Sequence, residues 1–184
     1  MNKKVLVAIA DGTEELEAVA VIDTLRRSGA EVVIASVQDL TVTGVCKTRI
    51  IADKLLADCL TENWDLIVLP GGIAGSEHLR DSAELTDLLK QQAAAGKYYA
   101  AICAAPAIVL QPHGLLKGKK ATVNLGLADQ MENKEHLHER VVVDGNCITS
   151  QSRGTALEFA VKLTELLYDK ETAEKIAEQM LLKR

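Results

Sequence analysis

Residues 98–110 read YYAAICAAPAIVL, an apolar run that contains one cysteine, Cys103, and one proline, Pro106. The first part of the run is apolar at successive positions, which is typical of a strand covered on both faces of a sheet. Pro106 suits the first turn of a helix because its missing N–H leaves no donor unsatisfied there. The stretch therefore predicts a buried strand followed by a helix, with Cys103 at the junction.

Three further runs have the same buried-strand character: KVLVAIA (4–10), EVVIASV (31–37) and DLIVLP (65–70). Amphipathic segments lie between the runs, at residues 14–27 and 82–95. Ser82 is a plausible N-cap for the second segment, and Gly96 is a plausible stop. Because strands alternate with helices, the sequence predicts an α/β sandwich with a mostly parallel central sheet.

The remainder of the chain adds a hairpin and two helices. Residues 141–143 and 147–149 are separated by DGN, a turn sequence typical of a hairpin. Residues 154–182 carry apolar side chains at helical spacing in two segments that break near residues 168–170. Residues 1–184 fit one domain with no linker or repeat.

Composition excludes several classes of function. The formal net charge of −5 provides no general attraction for phosphate backbones or anionic lipid, so nucleic acid is not expected as the primary partner. No apolar segment approaches the roughly 20 residues that span a bilayer. The apolar run at residues 5–10 ends at Asp11 and fits a strand better than a signal peptide. We therefore expect a cytoplasmic protein without a membrane partner.

The four cysteines, at positions 46, 59, 103 and 147, form no CxxC pair and no zinc-type spacing with histidines. They are interpreted as reduced thiols, with no metal site and no cofactor. Cys46, Cys59 and Cys147 are interpreted as structural or incidental.

Three turn-like stretches follow predicted strands: residues 11–17, residues 70–72 and residues 103–106. The carboxyl ends of parallel strands meet at one edge of a sheet, where α/β folds bind ligands. Cys103 is either a buried structural residue or a nucleophile whose thiolate form is favoured at a helix N-terminus. Its position favours the nucleophile.

The stretches at residues 70–72 and 11–17 also allow two interpretations each. Pro70-Gly71-Gly72 is either an ordinary turn or a source of backbone N–H groups for an oxyanion. Glu17 is either a helix-dipole partner or a carboxyl that shares a proton with the thiol of Cys103. In the second case the two groups would titrate together.

Four stretches together resemble the ThiJ/PfpI superfamily, closest to its DJ branch: 11–37, 65–72, 100–110 and 148–163. The resemblance implies a flavodoxin-like three-layer sandwich of the class I glutamine amidotransferase-like type, usually a homodimer. It also implies a nucleophile elbow at Cys103, with Glu17 as its acidic partner. By position, the backbone donors of the family fall on Gly72 and Ala104, and Gly71 lies beside them as a further pocket candidate.

The chain departs from the family pattern at three positions. Asn124 stands where the DJ branch often has a histidine, and asparagine cannot exchange a proton near neutral pH. Arg153 stands in Ser-Arg-Gly where relatives commonly have Gly-Pro-Gly; it either reaches the pocket or faces solvent. Ala104 follows the cysteine where peptidase-like members place a histidine, which disfavours a peptidase.

Two function classes follow from these residues. The first is a cofactor-independent enzyme of glyoxalase or protein-deglycase type that acts on small dicarbonyls or glycated groups and protects against carbonyl and oxidative stress. The second is a redox sensor or chaperone without enzymatic activity that uses an oxidisable Cys103. Both depend on Cys103 and Glu17, so the sequence does not separate them.

Overall fold

The computed structural model describes residues 3–182. These residues form nine strands: β1 (Lys4–Ile9), β2 (Glu31–Ser36), β3 (Thr41–Thr43), β4 (Arg49–Ile51), β5 (Lys54–Leu55), β6 (Leu66–Leu69), β7 (Tyr98–Ile102), β8 (Val141–Asp144) and β9 (Cys147–Ser150). The α-helices of this part of the chain are α1 (Glu15–Arg27), α2 (Ile73–Asp81), α3 (Ala83–Ala94), α4 (Ala156–Leu167) and α5 (Lys170–Gln179).

Seven strands form one sheet in the order β5-β2-β1-β6-β7-β9-β8. All neighbouring strands are parallel except β8, which pairs antiparallel with β9 as the predicted hairpin. The predicted mostly parallel sheet is therefore confirmed. Because β1, β6 and β7 run the same way side by side, the three predicted turns lie at one edge of the sheet.

Helices cover both faces of this sheet and give the three predicted layers. On one face, α1 and α4 pack together around Phe159, which is fully buried with Val21 and Leu25. On the other face, α2 and α3 pack over Trp64 and Tyr99. Successive side chains of each strand point alternately to the two faces of the sheet and pack under the helices on that face. The strands are therefore apolar on both sides.

The predicted ends of α3 are confirmed. The Ser82 side chain accepts a hydrogen bond from the backbone N–H of Leu85 at 3.2 Å and so caps the helix. Gly96, just beyond the helix, has a φ of 70°, a conformation that glycine adopts at little cost.

Two elements next to the site were not predicted from the sequence. Helix α2 begins directly after Gly72, and β3 pairs with β4 as a small separate hairpin. The hairpin is tied to the turn after β1, since Gly12 N–H donates to Thr43 O at 2.8 Å and Val45 N–H donates to Thr13 O at 3.0 Å. It therefore forms one wall beside the carboxyl end of β1.

None of the helices in the described part of the chain combines the length and the apolar composition needed to cross a bilayer. The cytoplasmic location stays a prediction.

Candidate active site

Cys103 lies on a strained turn at the end of β7. Its φ is 64°, in the left-handed region that side chains other than glycine, asparagine and aspartate rarely adopt. Two backbone hydrogen bonds hold this conformation: Cys103 N–H donates to Ser150 O at 3.0 Å, and Asn124 N–H donates to Cys103 O at 2.9 Å. The predicted helix follows, but as a five-residue π-helix, Pro106–Leu110. This backbone is the elbow that the resemblance implied, and it presents a half-buried thiol.

Glu17 lies behind the thiol, on the first turn of α1, and is fully buried. Its Oε2 accepts a hydrogen bond from Gly71 N–H at 2.8 Å. The carboxyl and the Cys103 thiol interact directly. Within residues 3–182, Glu17 Oε1 accepts no hydrogen bond of good geometry. One carboxyl oxygen is therefore fixed by the backbone, and the other is free to carry a proton.

Gly71 fills the space between these two side chains. A Cβ built on Gly71 would lie 2.5 Å from Cys103 Cβ and 2.7 Å from Glu17 Oε2. Gly71 was predicted as a pocket residue, and the structure corrects this: it lies beneath Cys103 and does not line the cleft. Its role is to let the thiol and the carboxyl approach each other closely.

The two predicted backbone donors, Gly72 and Ala104, line the same cleft as Cys103. Gly72 N–H is directed at the Cys103 sulfur. Ala104 N–H donates to no other backbone group among the described residues. Gly72 has a φ of 88°, and a Cβ there would collide with Gly12 O, so only glycine allows this close approach. The assignment of both N–H groups as oxyanion donors stays a prediction.

Burial raises the pKa of both members of the pair. Desolvation raises the pKa of Glu17 to about 7, although the hydrogen bond from Gly71 opposes the shift. Desolvation, followed by the charge of Glu17, raises the pKa of Cys103 to about 11. The expectation of a thiol with a lowered pKa is therefore wrong. The dry, acidic surroundings outweigh any effect of the short helix that follows Cys103.

These shifts belong to a coupled pair. The first proton leaves the pair near pH 7 and the second near pH 11. Between these values, one proton is shared by the carboxyl and the thiol. The thiolate form is thus available at neutral pH only when Glu17 takes the proton.

Asn124 contacts the sulfur from the cleft side. Its Nδ2 lies 3.8 Å from Cys103 Sγ and 3.4 Å from Ser152 Oγ. Its Oδ1 accepts from Gly126 N–H at 3.0 Å, which orients the amide nitrogen toward the sulfur. Asn124 is therefore a fixed donor to the thiol, and proton transfer is left to Glu17.

Cys103 opens into a cleft of about 750 Å³ that is lined in part by Ala104, Asn124 and Arg153. The sequence allows Arg153 either to reach the pocket or to face solvent. It does both: its side chain is 58% exposed, lines the cleft and donates to Glu14 Oε2 at 3.3 Å. Sequence reasoning missed Lys47 and His78, which line the cleft from the β3–β4 hairpin and α2. No sequence motif marks either residue. Their positions at the cleft depend on the β3–β4 hairpin and on α2, which the sequence does not predict.

The other three cysteines lie away from this arrangement. Cys59 and Cys147 are buried, and Cys46 is exposed in the turn of the β3–β4 hairpin; all four are free thiols. Desolvation raises the pKa of Cys147 to about 12. Residues 3–182 contain no group of three His, Cys, Asp or Glu side chains that could hold a metal ion.

Comparison with known proteins gives one consistent family. The model of the DJ-1/PfpI family matches residues 3–166. The chain is 46% identical over 180 residues to a protein named DJ-1 homolog B of Arabidopsis thaliana, covering 97% of this chain and 41% of that protein. It therefore spans less than half of that relative. It is 32% identical over 174 residues to the glutathione-independent glyoxalase DJR-1.2 of Caenorhabditis elegans, covering 94% of this chain and 92% of that protein.

The fold is also that of solved relatives. The structure described as oxidized DJ-1 of Toxoplasma gondii superposes with a TM-score of 0.96 at 49% identity and covers 99% of this chain and 100% of that chain.

We expect Gly71→Ala to separate the thiol from the carboxyl. The added methyl group has no space, so the variant should lose about 1–3 kcal/mol of unfolding free energy. The rate of Cys103 alkylation by iodoacetamide near neutral pH should change about tenfold or more, because the pair is displaced. Gly154→Ala is the matched control, since a Cβ there meets nothing within 4 Å. Equal behaviour of the two variants would contradict the assigned role of Gly71.

The alkylation rate of Cys103 should rise in two steps as pH increases. The first rise is expected near pH 7, when the pair loses one proton, and the second near pH 11, when the thiol that remains ionises. Glu17→Gln removes the negative charge that raises the thiol pKa, so a single rise below pH 11 should replace both. Peptide mass analysis measures the rate, with Cys46 as the internal reference. Two steps that persist in Glu17→Gln would show that another group is coupled to Cys103.

Proposed function

Because the chain belongs to the DJ-1/PfpI family, we propose that it is a cofactor-independent enzyme that acts on small dicarbonyl compounds through Cys103. The reaction is of glyoxalase or protein-deglycase type and serves protection against carbonyl and oxidative stress. One observation carries the proposal: the Cys103 thiol lies in an open cleft against a buried carboxyl, Glu17, whose pKa burial raises to about 7. The glyoxalase name of the Caenorhabditis elegans relative supports this choice.

The first step is addition of sulfur to the aldehyde. The thiol proton passes to Glu17, and the thiolate attacks the aldehyde carbon of a compound such as methylglyoxal. A C–S bond forms, and the carbonyl oxygen becomes an alkoxide between the N–H groups of Gly72 and Ala104. Donors fixed in advance stabilise such a charge without reorganising during the reaction. Glu17 then returns the proton to the alkoxide, which yields a hemithioacetal.

The second step is proton transfer between the two substrate carbons. The Glu17 carboxylate removes the hydrogen of the former aldehyde carbon as a proton, and the neighbouring carbonyl oxygen takes the negative charge of an enediolate. Glu17 returns that proton to the neighbouring carbon while the hydroxyl proton of the former aldehyde oxygen passes to the neighbouring oxygen, which leaves the thioester of a 2-hydroxy acid on Cys103. Water cleaves the thioester and restores the thiol. The sum is methylglyoxal plus water giving lactate, with no external oxidant or reductant.

Ala104 argues against a peptidase. The residue after the nucleophile offers only a backbone N–H and no side-chain base, and Asn124 offers only a fixed donor. Glu17 is thus the one proton-exchanging side chain that the structure places in contact with Cys103 within residues 3–182.

Cys103→Ser should abolish methylglyoxal consumption because a serine hydroxyl in this dry site is not a comparable nucleophile. Lactate formation measures the loss. Glu17→Gln should lower kcat at least about a hundredfold, the usual share of a general base. Cys46→Ser, which removes the exposed thiol, is the matched control and should behave as native protein. Turnover by Cys103→Ser at the native rate would defeat the proposal.

A second candidate function is redox sensing by Cys103. The observation in its favour is Glu17 Oε1, a buried oxygen without a hydrogen-bond partner among the described residues that lies on the group facing the sulfur. If Cys103 is oxidised to a sulfinic acid, a protonated Glu17 can donate to one of its oxygens. The relative whose structure is described as oxidized supports this alternative.

Mild peroxide should modify Cys103 before Cys59 and Cys147, which are buried. Mass mapping of the four cysteines measures the order in which they are oxidised. Cys46 is exposed, so its rate of oxidation shows whether solvent access alone determines that order. Glu17→Gln should retain less of the sulfinic form, since an amide N–H donates a weaker hydrogen bond to the sulfur oxygens than a protonated carboxyl does. Even oxidation of all four cysteines would contradict a sensing role.

Homodimer formation is also part of the proposal. Helix α1 packs through one face against α4, while Leu16 and Val19 on its other side are 53% and 51% exposed. Two such faces could cover each other. Light scattering should give twice the mass of the 19.8 kDa chain, and Val19→Glu should shift the protein toward the single-chain mass. A native protein of single-chain mass would contradict it.

A further inference from the structure

The acidic and basic side chains at the mouth of the cleft are unequally paired. Asp11, Glu14, Lys47 and Arg153 line it, with His78 beside them. The two acidic side chains are both engaged. Asp11 Oδ1 accepts from Thr43 N–H at 2.7 Å, and Glu14, whose side chain is only 6% exposed, accepts from Arg153.

The cations keep unused donors. Lys47 forms no ion pair or hydrogen bond through its ammonium group with any residue in the range 3–182. A guanidinium has five N–H donors, and Arg153 directs one of them to Glu14. The contact is 3.3 Å long, whereas charge-assisted hydrogen bonds of this kind are usually about 2.7–2.9 Å. Lys47 and Arg153 therefore offer N–H donors to a solute at the cleft mouth, beside the exposed carboxylate of Asp11.

Arg153 is also connected to the reacting sulfur through its neighbour in the chain, Ser152. It follows Ser152, whose hydroxyl accepts from the same Asn124 amide that contacts Cys103. The charge of Arg153 acts on Glu17 as well. Cys103 and Arg153 also line the same cleft, so a molecule that bonds to Cys103 at one end extends into the space that the guanidinium borders. The guanidinium edge is planar and matches a carboxylate with two parallel hydrogen bonds.

We propose that the cleft selects dicarbonyl substrates that carry a carboxylate at the end remote from the aldehyde, with Arg153 as the residue that binds the carboxylate. This inference rests on the proposed function and names its substrate class. Lys47 adds attraction at the entrance, and Cys103 and Glu17 act on the aldehyde end as they do for a neutral dicarbonyl.

The compound 4,5-dioxopentanoate is a suitable probe. Its aldehyde carbon forms the bond to sulfur, one hydrogen moves from that carbon to the neighbouring carbon, and water releases the acid. The sum is 4,5-dioxopentanoate plus water giving 2-hydroxyglutarate, and the remote carboxylate is unchanged. Its methyl ester is the matched neutral substrate.

The experiment compares kcat/KM for the anion and for the ester. Native protein should prefer the anion. In Arg153→Gln the anion-to-ester ratio should fall about ten- to a hundredfold, the usual effect of losing a hydrogen bond between charged groups. The fall should reside in KM, because the carboxylate is bound equally in the ground and transition states. Arg153→Lys, which keeps the charge but not the planar edge, should retain part of the preference.

Arg80→Gln is the matched control, since Arg80 pairs with Asp81 outside the cleft and its loss changes the net charge equally. The native ratio should persist in this variant. An Arg153→Gln ratio equal to that of native protein would overturn the inference while leaving the dicarbonyl activity in place. Equal falls in both variants would also overturn it, since general electrostatics would then be the cause.

Calorimetry provides a readout that does not depend on turnover. Cys103→Ser protein should bind 2-hydroxyglutarate more tightly than lactate, and the preference should vanish when Arg153→Gln is added. If neither dicarbonyl is consumed but this preference is found, the proposed function fails and the carboxylate site stands. Equal affinity of Cys103→Ser protein for 2-hydroxyglutarate and lactate would show that the cleft has no carboxylate site.

Discussion

The hydrogen bond from Gly71 N–H to Glu17 is the contact on which the site depends. It holds Oε2 of a fully buried carboxyl at 2.8 Å and leaves Oε1 without a hydrogen-bond partner among the described residues. Without this donor, burial of Glu17 would have no compensating bond to the protein. Because Gly71 has no side chain, the carboxyl and the thiol can also lie close enough to share a proton. A single backbone amide therefore positions the carboxyl next to the thiol and limits the rise in the pKa of Glu17.

The sheet supplies the geometry around that contact. Glu17, Gly71 and Cys103 belong to three turns that follow β1, β6 and β7, which are adjacent and parallel. Each turn offers a different group: a carboxyl, backbone N–H donors and a thiol. The β3–β4 hairpin, anchored on the turn after β1, closes one side and adds Lys47. The chemistry of the site thus belongs to the buried sheet edge, whereas its charge selectivity belongs to peripheral elements.

Much of this arrangement follows from local sequence. Apolar runs predict β1, β2, β6 and β7, and Ser82 predicts the start of α3, because each signal is contained in a few neighbouring residues. The convergence of Cys103 with Glu17 follows from the parallel order of the strands. The β3–β4 hairpin was missed because its strands are three residues long and largely exposed, so they lack an apolar period. The sign of the Cys103 pKa shift was missed because it depends on burial and on a carboxyl 86 positions away in the chain.

The proposed chemistry requires that burial beside Cys103 raises the pKa of Glu17 to about 7, so that its carboxylate is basic enough to take the thiol proton. Infrared spectra of protein with ¹³C-labelled glutamate carboxyls, taken as the difference between native and Glu17→Gln protein, observe the protonation of Glu17 directly. The carbonyl band of a protonated carboxyl should persist up to about pH 7. Loss of that band near the ordinary glutamate value of 4.5 would show that the Glu17 carboxylate is too weak a base to take the thiol proton, and would contradict proton transfer from Cys103 to Glu17.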